Sequence, residues 1–302
     1  MKRVRALLHL DDFAQMRHRP CDFSIAVLDS GVAEHPDIVS NIVAFHDVVG
    51  GRKTPYDDYG HGTHIAGIIC GDGRLSNGVY EGVIPSAKII AIKILDGKGD
   101  GAAAHLLDAL DWVYRNRKRY HIRIVNISIG MENHVSSDNR KRMQQAISRL
   151  YQEDILVITA AGNNGPEPMT LSALGEGDDV ISVGCYDFGY KGQSGKSCSE
   201  YSARGPSRYS LKKPDLVAPG TDIVSCSHRY RQGRRKAYCV KSGTSMATAV
   251  VTGAAAMLLA ESYLSSRQLM TRLQHAARDI HEPWNLQGWG VLDIERLLLG
   301  KR

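Results

Sequence analysis

The sequence has no apolar stretch that reaches the length of a membrane-spanning helix. Such a helix needs roughly 20 consecutive apolar residues, and no segment approaches that number. The N-terminus begins with basic residues, as a signal peptide does, but its apolar run spans only residues 6–10, includes a histidine and ends at Asp11. A secretory h-region contains roughly 7–15 apolar residues. We therefore expect a cytoplasmic protein without a membrane partner, unless a non-standard route exports it.

Cysteine pairs with the spacing of a zinc site are also lacking. None of the six cysteines belongs to a Cys-x-x-Cys pair, which argues against a zinc ribbon. Without a signal peptide, reduced thiols are the default expectation. Cys226 and Cys239 flank a basic loop, which a disulfide between them would constrain. This disulfide is the alternative to free thiols at the two positions. The cysteines are Cys21, Cys70, Cys185, Cys198, Cys226 and Cys239.

The chain has no strong excess of charge of either sign. It contains 38 Lys and Arg against 32 Asp and Glu, a formal net charge of +6. Basic residues concentrate at 115–119 and 229–236, but no pattern of stacking aromatic residues accompanies them. This favours solvated surface loops over a nucleic-acid-binding surface, so we expect no nucleic-acid partner.

Strand-like and helix-like patterns alternate along the chain. Short apolar runs rich in β-branched residues are typical of buried strands, and the stretches between them are typical of helices. Continuous hydrophobic strands that alternate with helices indicate a mostly parallel sheet with helices on both faces. We therefore predict an α/β domain over residues 22–302, preceded by an N-terminal extension over residues 1–21. Strands are expected at residues 23–28, 87–95, 122–128, 154–160 and 180–184, and helices at residues 62–70, 101–119, 136–154, 244–262 and 266–277.

Four reactive side chains lie where ligands of an open α/β sheet bind, beyond the carboxyl ends of the strands. Asp29 ends the first predicted strand, in LDSGV, and Asn163 follows the fourth, in AAGNNG. His61 and Ser245 each open a helical segment, in GHGTHIAG and SGTSMA. Glycines lie close to all four, at positions where a side chain would crowd an approaching backbone. These side chains could therefore converge on one site.

Acyl transfer needs residues of these types. A serine hydroxyl needs a base, an imidazole suits that task near neutral pH, and a buried carboxylate holds the imidazole in the correct tautomer. Hydrogen-bond donors must face the oxyanion that develops on the attacked carbonyl. The Asn163 amide and the N–H of Ser245, in the first turn of a helix, are suitable donors. Taken singly, each residue also fits a structural role as a turn former or helix start.

Several longer segments carry a family resemblance. VLDSGV, GHGTHIAG, NISIG, AAGN, APGTDI and GTSMAT occur in this order. They resemble the segments of the subtilisin-like serine proteases, the subtilase family, over roughly residues 22–297, and subtilisin has the same Asp, His, Ser order. The resemblance implies a three-layer subtilisin-like fold. It also implies a serine endopeptidase that hydrolyses peptide bonds through an acyl-enzyme, with proteins or peptides as substrates.

The resemblance assigns a role to each site residue. Asp29, His61 and Ser245 would form the catalytic triad, and Asn163 would donate to the oxyanion. Two edges would pair with an extended substrate, and a third segment would wall the pocket for the side chain before the cleaved bond. We expect that pocket to prefer large uncharged side chains over Lys or Arg, because its walls are small and the acidic residues after it are typical of a solvated turn. The edges are Gly99, Asp100 and Gly101, and Ser128, Ile129 and Gly130; the wall is Ala160, Ala161 and Gly162.

The metal content is less determined. Loop 71–82 departs from the calcium-binding loop of secreted subtilisins, and although Asp72 and Asn77 could supply oxygen atoms, calcium needs several such ligands. We expect no required cofactor and leave a calcium or other metal site open. Only 28 residues precede Asp29, fewer than the pro-domain of secreted members. The chain thus resembles the intracellular branch of the family.

Two other kinds of function stay open at this point. A binding or scaffold protein can keep the subtilase fold without activity, although the intact set of Asp29, His61, Ser245 and Asn163 argues against it. An esterase or a peptide ligase can use the same triad. The sequence does not determine the oligomeric state.

Overall fold

A seven-stranded sheet forms the centre of the protein and confirms the α/β prediction. The computed structural model describes residues 1–130, 135–209, 211–230 and 236–300. The strands are β1 (Ser24–Asp29), β2 (Ile42–Asp47), β3 (Lys88–Lys93), β4 (Ile122–Ile127), β5 (Leu156–Ala160), β6 (Val180–Cys185) and β7 (Leu216–Ala218), with β8 (Ile223–Cys226) and β9 (Tyr238–Lys241) in a separate hairpin. The order in the sheet is β2-β3-β1-β4-β5-β6-β7, and all neighbours are parallel.

Helices cover both faces of this sheet. The helices of the described residues are α1 (Lys2–Leu7), α2 (Ala14–Arg17), α3 (His61–Cys70), α4 (Ala103–Asn116), α5 (Ser137–Tyr151), α6 (Thr244–Glu261), α7 (Ser266–Ala276), α8 (Trp284–Gln287) and α9 (Ile294–Leu299). Neighbouring side chains of a strand point to opposite faces. In β1, Ile25 and Val27 pack into one apolar cluster with α3 and α6, whereas Ala26 and Leu28 pack into another with α4 and α5. Burial on both faces explains the continuous apolar run of β1.

Helix α6 is the central helix of one layer. It has 18 residues with a mean hydropathy of 1.3, so by length and composition it could cross a membrane, although Ser, Thr and Gly interrupt its apolar residues. However, 89% of it is buried inside the protein, where it packs against α3 and strands β4, β5 and β6. Its apolar character is therefore that of a core helix, which carries Ser245 at its start.

The N-terminal residues 1–21 are folded onto the domain. Leu10 belongs to the same apolar cluster as α6. Arg17 is buried because its guanidinium donates to Val83 O at 3.0 Å and forms a salt bridge with Glu81 at 2.7 Å. A charged side chain is rarely buried unless it is paired in this way. The predicted extension thus packs as an integral part of the fold.

The hairpin of β8 and β9 keeps Cys226 and Cys239 apart. Ser225 lies opposite Cys239, and Cys226 lies opposite Tyr238. Since directly opposite residues share a face, the side chains of Cys226 and Cys239 point to opposite faces of the hairpin. Both are free thiols. The bridge considered between them is therefore absent.

A disulfide joins Cys185 and Cys198, and the expectation of reduced thiols was wrong for this pair. Cys185 ends β6, and Cys198 follows it by 13 residues with a Cα–Cα distance of 5.5 Å, which is usual for a disulfide. Both residues are buried. The pairing depends on how residues 186–197 fold back onto the strand, which cysteine spacing does not reveal.

Candidate active site

Strand β1 and helix α3 bring Asp29 and His61 together. Asp29 is the last residue of β1 and is fully buried, and His61 is the first residue of α3. His61 Nδ1 lies 2.8 Å from each oxygen of the Asp29 carboxylate. An ionised carboxylate only accepts hydrogen bonds, so Nδ1 carries the proton and Nε2 keeps a lone pair. This tautomer makes Nε2 a base.

Asp57 fixes the start of α3 against the end of β1, and sequence analysis missed it. Its carboxylate accepts a hydrogen bond from Ser30 Oγ at 2.8 Å, just after β1. It also accepts from the N–H groups of Gly60 at 2.6 Å and Thr63 at 2.9 Å. A carboxylate at this end of a helix satisfies free N–H groups and suits the helix dipole. The signal was an acidic residue four positions before His61.

Ser245 occupies the first turn of α6. Gly243 precedes the helix with a φ of 147°, in a region of backbone conformation that favours glycine. Ser245 Oγ donates to Ser128 O at 2.6 Å, and within the described residues no hydrogen bond joins it to His61. Catalytic hydrogen bonds are often made only once a substrate is bound. The missing bond to His61 therefore does not argue against Ser245 as the nucleophile.

Asn163 faces the same turn. Its Oδ1 accepts hydrogen bonds from the Thr244 N–H at 3.0 Å and from Thr244 Oγ1 at 3.1 Å. Because a backbone N–H can only donate, the atom that faces it must be the amide oxygen, and the Nδ2 donors have no hydrogen-bond partner among the described residues. Asn163 is exposed. The Ser245 N–H, in the first helical turn, is a second free donor.

One cleft contains most of the predicted site. It has a volume of about 700 Å³ and is lined by His61, Ser245 and both predicted substrate edges, residues 99–101 and 128–130. The structure thus brings both edges to the reactive pair. Tyr59, two residues before His61, lies over Gly99, where an added Cβ would be 2.5 Å from its ring. The lining residues that sequence analysis did not single out are Tyr59, Leu95, Ala103, Val135, Ser136 and Asn139.

The predicted pocket wall lies apart from this lining. Ala160 ends β5, and Ala161 is fully buried in a small cluster with Leu171 and Ala203. Gly162 connects them to Asn163. None of the three lines the cleft within the described part of the chain, so their role as a wall stays a prediction.

Two of the four acidic residues that follow Asn163 and could reach the base of the pocket have side-chain partners elsewhere. The four are Glu167, Glu176, Asp178 and Asp179. Glu176 is buried and forms salt bridges with Arg140 at 2.5 Å and Arg208 at 3.3 Å. Asp179 accepts a hydrogen bond from Ser148 Oγ at 2.6 Å. The charge of Glu176 is therefore already paired within the fold, whereas a hydrogen bond from a neutral serine leaves the charge of Asp179 unneutralised.

The described residues contain two clusters with metal-ligating atoms, and neither fits a metal. In one, a disulfide removes the thiolates of Cys185 and Cys198. In the other, His35 Nε2 lies 2.8 Å from Ala237 O, and its Nδ1 accepts from the Asp37 N–H at 3.2 Å. Both ring nitrogens are thus in use. The clusters are Cys185, Asp187 and Cys198, and His35, Asp37 and Cys226.

Loop 71–82 contains Asp72, one of the residues that could supply oxygen atoms to calcium. The Asp72 carboxylate forms a salt bridge with the Arg74 guanidinium at 2.5 Å and accepts the Arg74 N–H at 3.0 Å. The chain therefore already supplies a cation at Asp72, and the loop's other acidic residue, Glu81, is paired with Arg17. The expectation that no cofactor is required stays a prediction.

Comparison with known proteins identifies the family. The model of the subtilase family matches residues 22–290. The chain is 33% identical over 293 residues to serine protease AprX from Bacillus subtilis, and the alignment covers 92% of this chain and 66% of AprX. It is 31% identical over 273 residues to subtilisin BL from Lederbergia lenta, and this alignment covers 90% of this chain and 88% of subtilisin BL. The chain therefore belongs to the subtilase family.

Solved structures share the fold. Sphericase aligns with a TM-score of 0.76 at 28% identity, over 90% of this chain and 91% of sphericase. The S41 psychrophilic protease aligns with a TM-score of 0.77 at 28% identity, over the same shares of the two chains. These likenesses confirm the three-layer subtilisin-like fold. The chain spans 66% of the length of AprX and of the thermostable alkaline protease from Halalkalibacterium halodurans.

His64 makes stability depend on pH. Burial lowers the pKa of His64 to about 3, against about 6.5 in an unfolded chain. Between these values the unfolded chain binds a proton that the folded chain does not, so stability present at neutral pH is lost as the pH falls below about 6.5. In a Ser245→Ala background, His64→Asn should reduce the slope of unfolding free energy against pH by about 1.4 kcal/mol per pH unit between about pH 6 and pH 4.

Urea unfolding followed by circular dichroism at several pH values measures that slope. His9→Asn is the control, because His9 is exposed and should leave the slope as it is. A slope in the His64→Asn protein equal to that of the control would contradict the assignment to His64.

Proposed function

We propose that this chain is a serine endopeptidase that hydrolyses peptide bonds through an acyl-enzyme. The observation that carries the proposal is the Asp29–His61 contact at 2.8 Å, made by a histidine that shares one cleft with Ser245. The free amide donors of Asn163 lie beside the same serine turn. A base, a nucleophile and two oxyanion donors are thus present together.

The reaction follows from these positions. The Ser245 hydroxyl breaks its hydrogen bond to Ser128 O, and Oγ attacks the scissile carbonyl while His61 Nε2 takes the hydroxyl proton. Asp29 stabilises the imidazolium, and the Ser245 N–H and Asn163 Nδ2 donate to the oxyanion. His61 then protonates the leaving amine. In the second half of the reaction His61 takes a proton from a water molecule that attacks the acyl carbonyl, and it returns that proton to Ser245 Oγ as the acid product leaves. These steps require no cofactor.

We also propose that the substrate is an extended segment of protein with a large uncharged side chain before the cleaved bond. Backbone groups of residues 99–101 and 128–130 suit pairing with such a segment. The salt bridges of Glu176 support an uncharged preference, since burying a Lys or Arg without a partner is unfavourable. A matched series of peptides with Phe, Leu, Ala, Lys or Arg at that position tests this by kcat/KM, and a Lys or Arg preference of about tenfold or more would contradict it.

Asn163→Ala should slow turnover and leave substrate affinity nearly unchanged. The alanine lacks the Nδ2 donors, whose interaction with the oxyanion forms only as the oxyanion develops. It also lacks the Oδ1 acceptor of the two Thr244 hydrogen bonds, whose loss should lower stability. We expect kcat to fall about a hundred- to a thousandfold, the cost of one oxyanion donor in subtilisin. Steady-state kinetics separates kcat from KM. Asn164→Ala is a suitable neighbouring control, and a loss expressed only in KM would instead place Asn163 in substrate binding.

Peptidase activity is distinguished from its alternatives by product analysis. The protein is incubated with an internal peptide, the matching ester, and the peptide plus an added amine nucleophile, and the products are identified by mass spectrometry. Hydrolysis of internal peptide bonds supports the proposal. Ester cleavage alone would indicate an esterase, amine transfer in place of hydrolysis a ligase, and no turnover a binding protein.

A cytoplasmic, intracellular location is a further proposal from the sequence, and the Cys185–Cys198 bond argues against it. Cytosolic thiols are kept reduced, whereas disulfides persist in oxidising compartments. Acid quenching of whole cells followed by alkylation of the denatured protein decides between the two, because Cys185 and Cys198 are buried in the folded chain. Alkylation of all six cysteines would support the cytoplasm, and protection of Cys185 and Cys198 would contradict it.

A further inference from the structure

The turn that carries the catalytic serine is held by a neighbouring loop. We call residues 220–222 the support loop. The Gly243 N–H donates to Gly220 O at 3.0 Å, and the Asp222 N–H donates to Ser242 Oγ at 2.9 Å. A Cβ at Gly220 would lie 2.6 Å from Gly243 O, so only glycine allows this approach. Any shift of the support loop is therefore passed to the residues directly before Ser245.

A buried carboxylate fixes the support loop in turn. Asp187 follows β6, and its Oδ2 accepts the N–H groups of Gly220 at 3.1 Å and Thr221 at 2.8 Å. Asp187 is 4% exposed. A carboxylate this deeply buried needs a cation, because an unpaired charge in the interior is costly.

That cation comes from the N-terminal helix α1. The Nη2 atom of Arg3 lies 2.6 Å from Asp187 Oδ1 and donates a hydrogen bond to Thr221 O at 2.5 Å. The Arg3 guanidinium also lies over the Tyr190 ring, 4.3 Å from its centroid. Arg3 thus touches both Asp187 and the support loop. It lies outside residues 22–290, the part of the chain that matches the family.

We infer that Arg3 is a positioning residue for Ser245, acting through Asp187 and the support loop. Without Arg3, the Asp187 carboxylate is left as a buried charge with only backbone donors, and it must take up a proton or move. Either change weakens its hold on Gly220 and Thr221. Ser245 is then correctly positioned only while the N-terminal segment is docked through Arg3. Displacement of the segment therefore slows the reaction. This inference rests on the proposed function.

Arg5 provides a matched comparison on the same helix. It pairs with Asp11 at 2.7 Å and donates to Gly78 O at 2.5 Å. In the described hydrogen bonds, neither partner contacts the support loop. Arg5→Met therefore removes a docking contact of α1 without touching Asp187.

The test compares Arg3→Met with Arg5→Met in the full chain. For Arg3→Met we expect kcat to fall about tenfold to a hundredfold, as a displaced reactive group can cost, with KM unchanged. The rate of labelling by a fluorophosphonate probe should fall with kcat. Arg5→Met should keep kcat and lower the melting temperature at least as much. Arg3→Lys should recover part of the loss, since an ammonium can pair with Asp187.

A double-mutant cycle separates positioning from general destabilisation. In an Asp187→Asn background the ion pair is gone, so Arg3→Met should add little to the loss of kcat. Equal kcat losses in Arg3→Met and Arg5→Met, or full additivity in the cycle, would overturn the inference. An inactive wild-type chain would overturn the proposed function instead, and the wild-type rate is measured first for that reason.

Discussion

Replacing Ser245 by alanine should lower turnover about a millionfold, the size of the loss when the nucleophile is removed in subtilisin. The variant keeps the oxyanion donors and the cleft, but no atom can form the acyl-enzyme. Folding should survive, because alanine is favourable in a helix and the hydroxyl makes its hydrogen bond to a single carbonyl, Ser128 O. Turnover of a peptide substrate measures the loss, and circular dichroism checks the fold.

Ser266→Ala is the matched control for this result. Ser266 is also buried, and its Oγ donates to a backbone carbonyl, Tyr151 O, at 2.7 Å. This control should keep normal turnover and lose only the stability of one hydrogen bond, roughly 1 kcal/mol. A folded Ser245→Ala protein with near-normal turnover would end the assignment of the nucleophile.

Replacing Asp29 by asparagine should lower kcat about ten-thousandfold, as the same change does in another serine protease triad. An asparagine amide can donate to His61 Nδ1, which would move the imidazole proton to Nε2. Nε2 then has no lone pair for the Ser245 proton. The shape of the site hardly changes, so KM should stay close to its normal value. Steady-state kinetics on one peptide gives both constants.

Asp47→Asn controls for the loss of a carboxylate at a strand end. Asp47 ends β2, and its oxygens accept backbone N–H groups and the Tyr56 hydroxyl. The Asp47→Asn protein should lose stability and keep kcat. If the two variants lost kcat equally, Asp29 would have a general structural role and no specific effect on His61.

The candidate reactive residues could be predicted because each lies at the end of a predicted strand or at the start of a predicted helix, or follows a strand directly. Asp29 ends an apolar run, and His61 and Ser245 begin helical patterns next to glycines. Parallel strands bring their carboxyl ends to one edge, so local patterns allowed these residues to converge, and the family resemblance assigned their roles. The edges at 99–101 and 128–130 followed from the family resemblance, and the structure places them in the cleft.

Other features depend on contacts between distant parts of the chain. Strand β2 lies at the edge of the sheet and is only partly buried, so it lacks the apolar run that marked the central strands. β7 has three residues, too few for a periodic pattern. The Cys185–Cys198 bond and the contact of Arg3 with Asp187 join segments whose approach is set by loop folding. Tyr59 and Asp57 carried a weak local signal, since both stand just before His61.

The most direct test is to label the protein with a fluorophosphonate probe and map the modified residue by mass spectrometry. Only a serine whose proton is taken by a base reacts readily with such a probe. The proposed mechanism predicts one modified residue, Ser245, in the wild-type protein and a large loss of labelling in His61→Ala. A folded wild-type protein that stays unlabelled, or that is labelled at another serine, would contradict it.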